Sequence, residues 1–250
     1  MSYTPQSPRR RWQTAQQISQ FQRSHVLLIL SNATAGKNTE FEDWATTYLR
    51  ENIARSKRVL SLNLLEKHEI DITEGAYQEV PYQYLFIVEL CLDGAKESRQ
   101  LIEKINTWYS AESSAMPPAS WLYYPASEKV GRPADRGQTM QTLAFANPLP
   151  GKESEFREWY ATRHIRHALN VPQLVSGQYF ESTNFQNTGA SPIDYKMIAI
   201  YEQEGTPEEM IKSFAELPED TLDFPSLDLI NFAEWVYRPI SILNPKRRTD

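Results

Sequence analysis

The feature that most constrains this chain is an internal repeat. Gly36-Lys-Asn-Thr-Glu-Phe-Glu-Asp-Trp44 returns as Gly151-Lys-Glu-Ser-Glu-Phe-Arg-Glu-Trp159, 115 residues further on. The same offset relates Leu28 to Leu143, Asn32 to Asn147, Thr47 to Thr162, Ser61 to Ser176 and Glu66 to Glu181, with no gap between them. A second block, Trp121-Leu-Tyr-Tyr-Pro-Ala-Ser127, returns as Trp235-Val-Tyr-Arg-Pro-Ile-Ser241 at an offset of 114. Two ordered blocks at nearly equal spacing point to one structural unit present twice, and any fold proposed for the chain must hold that unit twice.

Each copy reads as the same run of elements. A short apolar strand (25–30 or 142–146) leads through a Gly-containing loop into an amphipathic helix (39–51 or 154–167). Strands follow at 59–65 and 84–90, or at 174–180 and 197–201, with polar, turn-rich segments at 66–83 and 181–195 between them. A second helix covers 95–108 or 207–216, the latter opened by Thr206-Pro207, and the last strand is 121–124 or 234–237. The order is βαββαβ twice. It predicts an α+β protein of two tandem ferredoxin-like units, each an antiparallel sheet with both helices on one face. The two bare apolar faces then bury each other as an intramolecular α/β barrel. The chain is expected to be a pseudo-dimeric monomer, with further self-association left open. The expected boundaries are a disordered or extended N-terminal arm over 1–24, a first unit over 25–127, a linker over 128–138, a second unit over 139–243, and a basic tail over 244–250.

Composition narrows the function. No apolar run approaches the roughly 20 residues that cross a bilayer, so no membrane partner is expected. The opening stretch carries charge without the apolar core of a secretory signal, so a cytoplasmic location is expected. Cys91 is the only cysteine, which excludes an internal disulfide and a cysteine-based metal site; it reads as a small buried hydrophobe. The net charge is −6, and basic residues gather at the two ends, a pattern of solvated tails rather than of a nucleic-acid-binding face. The sequence has no phosphate-cradling loop, no dinucleotide fingerprint, no Gly-x-Ser-x-Gly elbow and no carboxylate cluster. No cofactor and no metal are therefore expected.

Candidate residues gather in the second copy. His164 follows Phe156, Trp159 and Tyr160 at helical spacing, where a neutral imidazole can take or give a proton near neutral pH. Tyr160 lies one turn earlier and can touch it. Both catalytic candidates compete with an ordinary packing role. Arg163, Arg166 and His167 make a cationic patch that suits a carboxylate or enolate, or else a solvated helix end. His164 and His167 supply two metal ligands where zinc takes three or four. Asn147 matches Asn32, which favours a turn role over a ligand contact. Tyr179, Tyr201 and Tyr237 fall on predicted strands and are candidates to line a pocket, on faces that alternation leaves open.

The stretch Ala146-Asn-Pro-Leu-Pro-Gly-Lys-Glu-Ser-Glu-Phe-Arg-Glu-Trp-Tyr-Ala-Thr-Arg-His164, continued by Val171-Pro172 and Ser176-Gly-Gln-Tyr-Phe180, resembles the EthD-like proteins of the dimeric α/β-barrel superfamily. The resemblance rests on the Asn-Pro, the Gly, the Phe-x-x-Trp-Tyr, the His four residues on, and the Val-Pro. This chain departs from that pattern with Ala161 where relatives carry Asp, Arg166-His167 where they carry Pro-Asp, and Gln173 where they carry Gly. In the first copy Ala45 and Leu49 replace the Tyr and the His. The resemblance implies a pocket between helices and sheet, with its chemistry confined to the second copy. The superfamily spans cyclases, isomerases, cofactor-free oxygenases and haem enzymes, so fold does not name the reaction.

The reading that follows is a cofactor-free small-molecule enzyme. It moves a proton beside a carbonyl of an aromatic or polyketide-like substrate, in an isomerase, cyclase, dehydratase or decarboxylase type of reaction. His164 is the general base, Tyr160 orients it, and an arginine holds an anionic group. The alternative is a non-catalytic small-molecule binding or accessory protein using the same pocket. Haem binding through His164 is a third reading.

Overall fold

The computed structural model describes residues 23–134, 139–187, 194–218 and 225–243. Residues 1–22 of the expected arm, part of the linker and the basic tail lie outside these residues. Nine strands are β1 His25–Ser31, β2 Val59–Lys67, β3 Tyr84–Leu90, β4 Ala119–Pro125, β5 Val130–Gly131, β6 Met140–Ala146, β7 Leu174–Asn187, β8 Met197–Gln203 and β9 Ala233–Leu243. Four helices pack outside them: α1 over 38–54, α2 Ala95–Ser110, α3 over 153–168 and α4 Pro207–Ala215. Helix α4 starts as its sequence demands. Thr206 accepts from the Glu209 backbone N–H while the Glu209 side chain accepts from the Thr206 N–H, and Pro207 fills the first turn.

The strands form one antiparallel sheet in the order β4-β1-β3-β2-β9-β6-β8-β7, and β7 pairs with β4 to close an eight-stranded barrel. The sheets expected to meet face to face are thus also joined edge to edge, at the β2–β9 and β4–β7 seams. Closure removes the exposed edges that each open sheet would carry. It also explains the length of β7. That strand runs past Phe180 to pair Ser182 with Tyr123 and Asn187 with Ser120, through residues whose polar composition predicts a turn-rich segment. The segment expected as a linker holds a two-residue strand, β5, paired to Gly177 and Ser176 of β7.

Backbone geometry in the second half repeats the first. His25 faces Leu90 and Met140 faces Gln203, which are partners 115 and 113 residues further on. The β2–β3 pairing slips between Val59 and Ser61, and the β7–β8 pairing slips between Leu174 and Ser176. Helix α1 widens to a π-turn over Ala45–Leu49, and α3 does so over Tyr160–His164. Asn32 donates to the Pro81 carbonyl and accepts from the Gln83 N–H, both at 2.7 Å. Asn147 donates to the Asp194 carbonyl at 3.1 Å and accepts from the Lys196 N–H at 2.9 Å.

Side-chain alternation divides the interior into three cores. The barrel lumen collects Leu28, Leu65, Ile87, Trp121, Phe145, Phe180, Trp235 and Tyr237 from both halves. The other two cores lie between sheet and helices, one in each half. Ile72, from the segment joining β2 to β3, packs into the second-half core, so the first half supplies part of the second half's cover.

Candidate functional site

Helix α3 lies on the outer face of the second-half sheet, and its π-turn begins at Tyr160 and ends at His164. The His164 ring is buried between Trp159 and Tyr160, with centroids 4.5 Å from each. Burial, and then the nearby His167, hold its pKa down at about 3, so the imidazole is neutral across the physiological range. Tyr160 also stacks on Tyr179 of β7 at 4.9 Å. The Tyr179 hydroxyl donates to Glu181 at 3.2 Å, and Glu181 further accepts from Tyr124 and from both Nε and Nη2 of Arg157. Burial favours the neutral form of Glu181, but these donors outweigh it and keep the group below the usual carboxylate range.

Tyr201 of β8 crosses β7 at Gly177, where a Cβ would stand 2.6 Å from its ring. Only glycine admits that crossing. The Tyr160 and Tyr201 hydroxyls influence each other, although neither makes a hydrogen bond of ordinary geometry. Burial raises both phenols above their normal range, and the negative charge of Glu234 raises them further.

Glu234 completes the group. On β9 it lies between the lumen residues Ala233 and Trp235, so alternation turns it to the helix side with Val236. It keeps a minor part of its surface in solvent. Burial, followed by the charge of Asp71, pushes its pKa up to about 7. Asp71 and Tyr77 come from the first-half segment that covers this edge. Tyr77 packs edge-on against Phe232 at 4.7 Å, the Gln78 N–H donates to the Phe232 carbonyl, and the His68 N–H donates to the Val236 carbonyl. Deeper in the layer Thr142 donates to Gln203 at 2.7 Å, with both residues buried.

The structure therefore gathers His164, Tyr160, Tyr179 and Tyr201 and leaves the other expected residues elsewhere. Tyr237 points into the lumen, where its hydroxyl donates to the Tyr82 carbonyl. Asn147 clasps the chain before β8, which is its turn role. Arg163, Arg166 and His167 are exposed on the outer face of α3, because the turn that buries His164 points them to solvent. Glu234, Gln203 and Thr142 are additions. The signal that finds them is comparison of the copies: at the offsets of 114, 113 and 115 they replace Ser120, Leu90 and Leu27.

That comparison extends across the layer. Tyr160, His164, Gly177, Tyr179 and Tyr201 stand where the first half has Ala45, Leu49, Leu62, Leu64 and Val88, all in its apolar core. The fold is the same on both sides, and the chemistry is not. Among the described residues, no group of three or more His, Cys, Asp and Glu side chains is arranged to hold a metal. No described helix is long and apolar enough to cross a membrane.

No family model and no curated protein matches the sequence. Solved structures do match. An anthrone oxidase-like protein is 7% identical, with a TM-score of 0.57 over 90% of this chain and 94% of that one. A mutant chlorite dismutase from Candidatus Nitrospira defluvii is 10% identical, with a TM-score of 0.54 over 88% and 94%. A haem-binding protein from Thermus thermophilus is 9% identical, with a TM-score of 0.51 over 88% and 92%. At such identities the likeness shows the fold alone, a closed antiparallel barrel with helices outside it.

Proposed function

We propose that the second half is a small-molecule site for cofactor-free proton transfer on an aromatic or polyketide-like substrate. The observation that carries this reading is that titratable and hydrogen-bonding groups stand at positions of the second half whose counterparts in the first, Ala45, Leu49, Leu64, Val88 and Leu90, are apolar. Buried polar groups cost stability, and a layer that folds well when apolar has no packing need for them. Glu234 is the base: a carboxylate poised near neutrality can take a proton from a carbon beside a carbonyl and return it elsewhere. Tyr160 and Tyr201, kept as neutral phenols, donate to the oxygen on which charge develops. His164 is too weak a base for the role its sequence position suggests. It serves as a neutral wall that orients Tyr160. The exposed Arg163 and His167 are left to attract an anionic substrate from outside.

The site belongs to a chain that we read as a tandem duplication of ferredoxin-like, EthD-like units, a pseudo-dimeric monomer of cytoplasmic origin. The repeated registers, strand slips, π-turns and asparagine clasps support that ancestry. Haem, named for one structural neighbour, does not fit the residues present. Tyr160, Tyr179 and Tyr201, each at 1% exposure or less, already fill the layer around His164. The second reading is a non-catalytic protein that holds its ligand beside Glu234, the member of the group that keeps part of its surface in solvent, without turning it over.

The test is solvent-deuterium exchange into a panel of phenolic and polyketide-like β-keto acids and their ketones, followed by NMR. The proposal expects exchange at one carbon that depends on Glu234. Binding without exchange supports the accessory reading. Neither binding nor exchange anywhere in the panel removes both.

A further inference from the structure

One end of the barrel lumen is polar, and it is polar in the same way in both halves. Val26 and Ser61 both pair with Glu89, while Gln141 and Ser176 both pair with Glu202. Four antiparallel steps separate β1 from β6, so these strands run in the same direction and both acids come to one mouth. Alternation puts Glu89 on the face of Leu85 and Ile87, and Glu202 on that of Ile198 and Ile200, which is the lumen side. Ser61 donates to Glu89 Oε2 at 2.6 Å, and Ser176 donates to Glu202 Oε2 at 2.7 Å. The other oxygen of each acid meets a cation. Arg23 Nη1 lies 2.5 Å from Glu89 Oε1, and Lys129 Nζ lies 2.7 Å from Glu202 Oε1.

What repeats here is the acid and its serine; what does not repeat is the cation. Arg23 precedes β1, and Lys129 lies between β4 and β5, so neither belongs to the repeated strands and helices. Carboxylates inside a lumen are costly without a positive partner. Each half thus carries its half of a cation site to the mouth and takes the cation from a segment outside the repeat.

Arg23 sits as a ligand would. Its side chain is 8% exposed, its guanidinium lies over the Phe180 ring at 5.3 Å, and its Nη2 donates to Gln178. Carboxylate, carboxamide and aromatic face, drawn from both halves, together match a planar cation. The fit to the tethered side chain is incomplete, because the buried Arg23 Nε has no hydrogen-bond partner among the described residues. We infer that this mouth of the barrel is a binding site for a guanidinium-bearing small molecule, and that Arg23 fills it in the intact chain as an internal competitor. The site is distinct from the Glu234 cluster, which faces the opposite side of the sheet.

The test uses the full-length Arg23→Ala chain, titrated calorimetrically with ethylguanidinium and compared with the wild type. The inference expects the variant to bind at least about tenfold more tightly. Adding Glu89→Gln should abolish that binding, and tetramethylammonium, a cation without N–H donors, should not replace the probe. Equal affinity of wild type and variant, or binding that survives Glu89→Gln, overturns the inference. If Arg23→Ala does not fold, Arg23→Gln removes the charge, keeps a polar stem and is read by the same two outcomes.

Discussion

The two halves of this molecule share a backbone and differ in one layer. Between α1 and its sheet, Ala45, Leu49, Leu62, Leu64, Val88 and Leu90 are apolar, in a core whose polar groups are Tyr84, bonded to Glu42, and Tyr109, bonded to Ser31. Between α3 and its sheet, the matching positions hold Tyr160, His164, Gly177, Tyr179, Tyr201 and Gln203, with Glu234 beside them. The π-turn occurs in both halves, so it belongs to the fold and cannot by itself mark a site. What marks the site is what the turn presents. A second half of matching backbone within one chain is an internal control, against which the polar side chains of this layer stand out.

The comparison breaks most sharply at the acid. Glu234→Gln is expected to lower proton exchange by about 10²–10⁴-fold, the usual size of a lost general base. Ser120→Ala, at the matching place, should leave the exchange rate unchanged. Comparable losses from both variants would mean that the halves do not differ in the way described.

Swapping the π-turn residues tests the stability side. Leu49→His buries an imidazole among the apolar side chains of the first-half core and should cost about 3 kcal/mol in denaturant unfolding. His164→Leu should change stability by less than about 1 kcal/mol at neutral pH, because the polar layer tolerates an apolar side chain of similar volume. A large loss in the second variant would make His164 a structural residue.

The pH dependence sharpens the comparison further. Glu234 is raised from 4.5 to about 7 in the folded state, so folded chains retain a proton that unfolded chains lose, and its contribution falls as pH rises through that window. His164 is lowered from 6.5 to about 3, so its contribution is present above 6.5 and is lost as pH falls toward 3. Glu234→Gln should therefore stabilise the chain above neutrality by roughly 1–3 kcal/mol, and His164→Leu should stabilise it on the acid side. Unfolding free energies measured across pH decide both signs. The asparagines should show equal effects: Asn32→Ala and Asn147→Ala should each cost about 1–2 kcal/mol and leave exchange alone, because both clasp loops.

Much of the fold was legible in the sequence because its signals are local. The β3 span of 84–90 followed from an apolar run bounded by turn formers, and the start of α4 followed from Thr206-Pro207. The repeat carried the order of strands and helices. Barrel closure was less legible, since the Glu181–Asn187 part of β7 is polar and becomes strand through its pairing with β4, a contact remote in sequence. At the site, helical spacing brought Tyr160 and His164 together correctly, but it could not tell that Arg163 and His167 point outward. Alternation on a predicted strand leaves the face undetermined, so Tyr201 and Tyr237 read alike and fell on opposite sides of the sheet. Glu234 escaped notice because an acid in a short strand reads as solvated until its neighbours are known.

Under the proposed function, Glu234, a half-buried carboxylate in the second half, stands ready to exchange a proton near neutral pH. The most direct measurement is a carboxyl ¹³C NMR titration of the wild-type chain, with Glu234 assigned by its loss in Glu234→Gln. The account predicts a Glu234 midpoint near 7 that moves when a panel compound binds. A midpoint in the ordinary range around 4.5, indifferent to every ligand, would contradict it and leave the polar layer without a proton to move.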